Sequence, residues 1–289
     1  MSRPLVIYHG NCADGFSAAW CFWRKYKDDA DYVAGVYQQP PPDVVGRDVY
    51  LVDFSYPFQV VVRMLEVAES VTLIDHHKTA IDALKPLKDR QVASNGNGMG
   101  DRFGWHCDLN RSGATLAWDY LFPGEPRPLL LGHIEDRDLW RFKLASTREI
   151  QACVFSHEYT FEQWDKLMVA GPAELLGMTV AGAAIERKHQ KDIRELVAVC
   201  KRVMLIDDHY VPVASLPYTM SSDAGHLMAS AGDVPFAACY WDTPAARVFS
   251  LRSAEGGADV SEIAKRYGGG GHKHAAGFSV PRDHPLAIA

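Results

Sequence analysis

The sequence predicts an α/β protein: an N-terminal doubly wound, mainly parallel sheet, joined by a long helix to a smaller α+β C-terminal domain. Three observations predict it. Leu5-Val6-Ile7-Tyr8, Val49-Tyr50-Leu51-Val52 and Val71-Thr72-Leu73-Ile74 are short apolar runs rich in β-branched residues, as are strands buried on both faces of a parallel sheet. Helical patterns alternate with these runs, as a doubly wound sheet requires. Beyond a highly charged helical stretch, the later apolar runs read instead as strands buried on one side.

Taken in order, a polar turn over residues 10–15 follows the first strand and leads to a helix from 16 to about 26. A second strand falls near 32–36, and Pro40-Pro41-Pro42 marks a loop. Residues 57–69 form a helix between the second and third apolar runs. The stretch Ser94-Asn95-Gly96-Asn97-Gly98-Met99-Gly100 has the composition of a flexible loop. Ser112 stands as the N-cap of a helix running to about 122. Residues 129–134 lead into Glu135-Asp136-Arg137-Asp138-Leu139-Trp140, a charged cluster flanked by apolar residues. A long helix covers about 174–200 and turns highly charged around 186–195. Strands follow at 203–206, 211–215, 237–241 and 247–252, then a helix from 260 to 267 that ends at Gly268. The division is therefore 1–185, a linker of residues 186–200 at the end of the long helix, and 201–289. Trp20, Trp23 and Met178 sit at helical spacing and fit core packing.

A chain of 289 residues, 47% apolar and 23% charged, is an ordinary globular composition with room for two domains. The net charge of −6 gives no broad basic face, which excludes long double-stranded nucleic acid as a partner but leaves local cations able to hold a short anion. The N-terminus lacks the apolar core of a signal peptide, and no apolar stretch is long enough to span a bilayer. No membrane partner and a cytoplasmic location are expected. Six cysteines without Cys-x-x-Cys spacing read as free thiols, not as a disulfide framework or zinc ribbon, and a catalytic thiol has little support.

The chemistry concentrates where the three apolar runs end: on His9, on Asp53, and on Asp75-His76-His77. Each residue has an ordinary explanation alone. A histidine after a strand is commonly structural, and Asp53 could cap the helix near Pro57. Independent caps have no reason to fall at the same end of successive parallel strands, the end where such sheets bind ligands. Carboxylates mixed with imidazoles suit manganese, magnesium or zinc, and paired ions favour hydrolysis of a phosphate ester or anhydride. In the C-terminal half, Gly268-Gly269-Gly270-Gly271-His272 exceeds what a helix C-cap needs. It is read as an anion site or a place of close backbone approach, with Lys273, His274, Arg247 and Arg252 supplying donors.

With these residues in place, the chain closely resembles the DHH phosphoesterase superfamily, named for the Asp-His-His that stands here as Asp75-His76-His77. It also resembles the associated C-terminal domain, whose hallmark matches Gly269-Gly270-Gly271-His272 followed by Ala275-Ala276-Gly277-Phe278. The resemblance implies a two-domain enzyme with its active site in the cleft between a DHH domain and a substrate-binding domain. It makes His9, Asp14, Asp53, His76 and Asp136 the metal ligands, with Asp53 bridging. Asp75 would orient the histidines, and His77 would contact the substrate phosphate. Arg252, Gly270, Gly271 and His272 would hold the substrate's far end. One position departs from the family pattern: Cys12 stands where the first motif usually carries an aspartate, and a thiol matches manganese or magnesium poorly. One or two ions, manganese foremost and magnesium next, are therefore expected.

The function expected is a metal-dependent phosphodiesterase that cleaves very short RNA or linear dinucleotides to nucleoside 5′-monophosphates. A cyclic dinucleotide phosphodiesterase is the nearest alternative, and a pyrophosphatase a weaker one because an anhydride needs no base-binding surface. A nucleotide-binding sensor disabled at Cys12 is the alternative from another class. A homodimer is left open.

Overall fold

The computed structural model describes residues 2–10, 12–93 and 102–288, so the stretch 94–100 expected to be a flexible loop lies outside the described residues. Two compact units make up the chain, Met1–Glu186 and Arg187–Ala289. Among the described residues no single helix is long and apolar enough to cross a membrane.

The first unit is built on five parallel strands, β1 (Leu5–His9), β2 (Asp31–Gly35), β3 (Asp48–Val52), β4 (Ser70–Asp75) and β5 (Phe103–Cys107), in the order β2-β1-β3-β4-β5. Parallel pairing of β1 with β3 and of β3 with β4 brings the carboxyl ends of the three apolar runs onto one rim. The strand order reverses between β1 and β3, and that switch point is where an open α/β sheet binds ligands. The period of two along each strand feeds two separate cores. Leu5, Ile7, Val49, Leu51, Val71 and Leu73 pack with α2 (Phe58–Val67) and α3 (Lys78–Ala93) on one face. Val6, Val52 and Ile74 pack on the other face with α1 (Ala13–Tyr26), α4 (Gly113–Leu121), α5 (Leu129–Asp138), α6 (Thr147–Phe155) and α7 (Phe161–Met168). Trp20 and Met178 lie in this second core with Trp23 against it, as their spacing predicts. Ser112 caps α4, its side chain accepting from the Thr115 N–H. Helix α3 and strand β5 are among the elements not expected from the sequence. Pro86 interrupts the pattern of α3, and β5 is an edge strand whose Gly104 lies against Thr72.

Helix α1 begins at Ala13, earlier than the polar turn suggests, because Cys12 is already extended at the N-cap. Asp14 therefore sits in the first helical turn. Gly15 makes this possible: a Cβ there would lie 2.5 Å from the His9 carbonyl oxygen. Only a glycine lets α1 start this close to the end of β1.

Helix α8 runs from Pro172 to Cys200. The second unit contains a six-stranded mixed sheet of β6 (Arg202–Ile206), β7 (His209–Ser215), β8 (Ala237–Asp242), β9 (Ala246–Arg252), β10 (Gly270–His272) and β11 (Ala275–Pro281), ordered β10-β11-β9-β8-β7-β6. Only β7 and β8 pair in parallel. Helix α10 (Val260–Arg266) covers one face through Val260, Ile263 and Ala264. Helix α9 (Ser221–Ala229) and the end of α8 cover the other through Ala224, Met228, Ile193 and Val197. A short helix, α11 (Pro285–Ile288), closes the chain.

Candidate metal centre

The rim of the first sheet gathers two carboxylates and three imidazoles. His9 ends β1, Asp53 follows β3, and Asp75 ends β4 directly before His76 and His77. Asp53 holds a left-handed backbone (φ 53°) while its N–H donates to the Ile74 carbonyl at 2.9 Å. A non-glycine residue in that region is strained, and such strain persists where surrounding structure imposes it, commonly at functional sites. Here it turns a fully buried carboxylate into the cluster. His76 Nε2 lies 3.0 Å from Asp53 Oδ1, 3.5 Å from Asp138 Oδ2 and 3.7 Å from Asp14 Oδ2. His9 Nδ1 faces Asp53 Oδ2 at 3.5 Å.

Asp14 is fixed from the opposite side. Its carboxylate accepts from the Gly113 and Ala114 N–H groups at 2.6 and 3.1 Å, so it sits at the N-terminus of α4, where the helix dipole favours an anion. Gly113 is itself tight against the cluster, since a Cβ there would lie 2.5 Å from that of Asp53. Asp75 has a different task. Its Oδ1 accepts from the His76 and His77 backbone N–H groups and from His77 Nδ1 at 2.8 Å, which fixes the His77 ring. Asp75 thus orients His77 through the ring and His76 through the backbone.

Of the two carboxylates of α5, it is Asp138 and not the expected Asp136 that faces His76. The Asp136 carboxylate turns away from the cluster and accepts from the Lys143 and Leu144 N–H groups at 2.8 and 3.0 Å and from the Thr147 hydroxyl at 2.7 Å. Two residues apart on a helix point to nearly opposite sides, so α5 can turn only one of the pair inward. The signal for Asp138 was present in the sequence. It follows Leu131 by seven positions and Ile134 by four, a spacing that puts it on their side of α5, although Asp136 is the more buried of the two.

Crowding this many charges has a cost. Burial, then repulsion from Asp53 and Asp138, pushes the Asp14 carboxyl well above the ordinary carboxylate range. Burial also raises Asp138, with Asp53 adding to it and His76 opposing. Burial works against charge at Asp53 too, but the close approach of His76 and His9 holds its carboxyl well below the usual range. For His76 burial would favour the neutral ring, yet Asp138 and Asp53 outweigh it and lift its pKa to about 10. Burial, then the charges of Asp53, Asp138 and Asp14, pushes the Cys12 thiol well up and keeps it protonated.

Among the described residues of the first unit two donor sets are close enough to hold an ion, Asp14/Asp53/His76 and His9/Asp53/His77, the chosen atoms of each lying within 4.8 Å of one another. Asp53 belongs to both. Cys12 belongs to neither. The fit to a divalent cation has a direct mark: Asp53 Oδ2, Asp75 Oδ2 and His9 Nδ1 are buried without a hydrogen-bond partner among the described residues. Buried polar atoms are rarely left so.

In the second unit the substrate residues expected from the sequence separate into two groups. The register pairs His272 with Ala275 and Ala275 with Arg252, so Arg252 and His272 share one row across β9, β11 and β10. Arg252 donates to Ser250 Oγ at 3.0 Å, to the Leu251 carbonyl at 2.8 Å and to Ser222 Oγ at 2.7 Å. Arg247 lies at the far end of β9, opposite Val280 and away from the row of Arg252 and His272. It is buried, bonds Asp242 at 2.9 and 3.1 Å and the Leu286 carbonyl at 3.1 Å, and stacks on Tyr240. The glycine run ends α10 at Gly268 (φ 77°) and then packs against β11. A Cβ on Gly269 would lie 2.1 Å from the Gly277 carbonyl oxygen, so close backbone approach accounts for that position. Gly270 and Gly271 pair with Gly277 and Ala276 as β10.

A cluster of carboxylates and imidazoles thus stands at the switch point of a parallel sheet. The fold is that of the DHH domain, with its Asp-His-His as Asp75-His76-His77 at the end of β4. A solved DHH domain, from a protein described as a member of a ribosomal-protein family, matches over 96% of this chain and 82% of its own, with TM-score 0.53 and 12% identity. At that identity the likeness concerns the fold. A pGpG-specific phosphodiesterase of Vibrio cholerae aligns over 99% of this chain and 96% of its own, with TM-score 0.43 and 14% identity. By sequence, the chain is 27% identical to an uncharacterized protein of Acanthamoeba polyphaga mimivirus, over 95% of this chain and 67% of that protein. No family model matches the chain.

Proposed function

We propose that this protein is a metal-dependent phosphodiesterase that cleaves very short oligoribonucleotides or linear dinucleotides to nucleoside 5′-monophosphates. One observation carries the reading: two donor sets of mixed carboxylate and imidazole meet at the shared Asp53 on the rim of a DHH-type sheet. Asp14, Asp53, His76, Asp138 and His9 would hold the ions, manganese foremost with magnesium next. Bound divalent ions supply a water of lowered pKa and neutralise charge on the phosphoryl group. His77 positions the substrate. Burial opposes its charge, but Asp75 outweighs burial and raises its pKa, so the ring is biased toward the imidazolium that donates to a phosphoryl oxygen. Arg252, Gly270, Gly271 and His272 are the residues we assign to gripping the substrate away from the metals.

Asp138 also bears on the sensor alternative. That reading rests on the aspartate missing at Cys12, and the three carboxylates that lie against His76, those of Asp14, Asp53 and Asp138, support an intact centre over a disabled one. The net charge of −6 supports a short substrate over long nucleic acid. Six free thiols suit a reducing, cytoplasmic setting. The purified protein should be incubated with manganese and a panel of linear dinucleotides, cyclic dinucleotides, longer RNA and pyrophosphate. Linear dinucleotides are expected to be cleaved fastest. Preferential cleavage of long RNA or of pyrophosphate would overturn the substrate assignment.

A further inference from the structure

The second unit's sheet ends on an edge that nothing among the described residues covers. Strand β6 is last in the order and pairs only with β7. The hairpin closes through Asp207 and Asp208, both at positive φ (50° and 62°) as a two-residue type I′ turn requires. With Ile206 opposite His209 as the closing pair, Ile206, Met204 and Arg202 bond to β7, and the N–H and C=O of Val203 and Leu205 point to the free edge. Pro212, which has no N–H, stands opposite Val203 and agrees with this phase. No backbone hydrogen bond from outside the sheet reaches Val203 or Leu205 among the described residues. Their side chains lie outside the core, 66% and 48% exposed, with Tyr210 at 75% and Val199 at 78% close by in the chain. Within β6 there is no proline, and its one charged residue, Arg202, stands at its start and donates to the Tyr240 hydroxyl.

We propose that β6 is a dimerisation strand, pairing antiparallel with β6 of a second copy of this chain about a two-fold axis at Met204. The occupant is set by charge. Lys201 and Arg202 stand at the start of the strand, and Asp207 and Asp208 follow its end, so the edge is complementary to itself when reversed. In the register centred on Met204, Val203 faces Leu205 of the other copy and the pair exchanges both backbone hydrogen bonds. Beyond β6 the chain leaves the strand, Lys201 donating its N–H to the Val197 carbonyl and Asp207 standing in the turn bonded to Arg266, so Lys201 meets the acidic turn of the other copy through its side chain alone. Centring on Val203 would put Lys201 against Leu205, and centring on Leu205 would put it against His209; neither forms the ion pair. Apolar side chains then cover one another on the exposed face while opposite charges fix the register.

The test is sedimentation of the full chain, combined with amide hydrogen exchange. Wild type should sediment at twice the 32.1 kDa chain mass. The Val203 and Leu205 amides should become protected as concentration rises. Leu205→Lys, at an exposed position, should raise the dimer dissociation constant at least about tenfold with an unchanged circular dichroism spectrum. Lys201→Glu reverses both symmetric ion pairs and should weaken the dimer by about tenfold, a loss that added salt relieves. A wild type that stays monomeric at about 100 µM would overturn the proposal, since a strand-mediated interface of ordinary size would associate there. So would a dimer whose Val203 and Leu205 amides exchange freely. A dimer indifferent to Lys201→Glu would overturn the register.

Discussion

Exchanging the carboxylates of α5 one at a time separates a metal ligand from a loop clamp. Asp136→Ala removes the acceptor of two backbone N–H groups and of the Thr147 hydroxyl, the bonds that close the chain after α5. Hydrogen bonds to a charged group contribute roughly 1.5–3 kcal/mol, so the variant should lose about that much stability. For a unit of this size the melting temperature should fall by about 3–12 °C. Because the folded-state pKa of Asp136 is depressed, its contribution is present above the unfolded carboxylate pKa. It disappears as pH falls through the folded value, so wild type and variant should converge in acid. Asp138→Asn does the opposite. Its folded pKa is raised, so its charge costs stability at neutral pH, and the amide should leave the metal-free protein as stable as wild type or more so. The loss appears only with metal. At a free metal concentration about 100 times Kd, binding adds about 2.7 kcal/mol, and a site weakened about 100-fold keeps about 0.4 kcal/mol. Thermal melts of both variants with and without manganese read the two effects separately. An Asp138→Asn protein that melts lower without metal and keeps the full manganese shift would refute the assignment, as would an Asp136→Ala protein that loses only that shift.

Four further outcomes follow from the same geometry. Manganese must displace the proton that His76 holds up to a pKa of about 10, so apparent affinity should rise with pH across the neutral range, by about tenfold per unit for one proton released; calorimetry in buffers of different ionisation enthalpy counts that proton. Gly15→Ala places a methyl group 2.5 Å from the His9 carbonyl oxygen and should weaken metal binding by moving α1 off β1, seen as a smaller manganese shift in the melt. Arg252→Ala and His272→Ala should raise KM by about tenfold to a hundredfold with kcat less affected, whereas His76→Ala should remove most of kcat; equal loss on every substrate for His272→Ala would refute the remote grip. Arg247→Ala should destabilise the second unit, by about 1–2 kcal/mol once the exposure of Asp242 is allowed for, and leave KM unchanged.

Much of the site was legible in the sequence because strand geometry is simple. A run apolar at every position must be buried on both faces, and parallel neighbours bring their carboxyl ends to one rim. His9, Asp53 and Asp75-His76-His77 could therefore be placed together from the ends of three runs alone, and the structure places them so. Asp14 needed one further fact, that Gly15 lets α1 start against β1.

What the tertiary structure decided was direction. Each helical residue turns about 100° from the last, so a shift of two positions exchanges inside for outside. Asp136 and Asp138 are equivalent in composition, and only the phase of α5 against the cluster makes one a loop acceptor and the other a neighbour of His76. Arg247 and Arg252 share a predicted strand, but the register carries them to opposite ends of β9, one into a buried pair with Asp242 and the other into the row of His272. Sequence by itself determined which residue types reach the rim of the sheet, because burial patterns are local. Which side chain among near neighbours faces the site depends on helix phase and strand register, and those are set by packing across the whole unit.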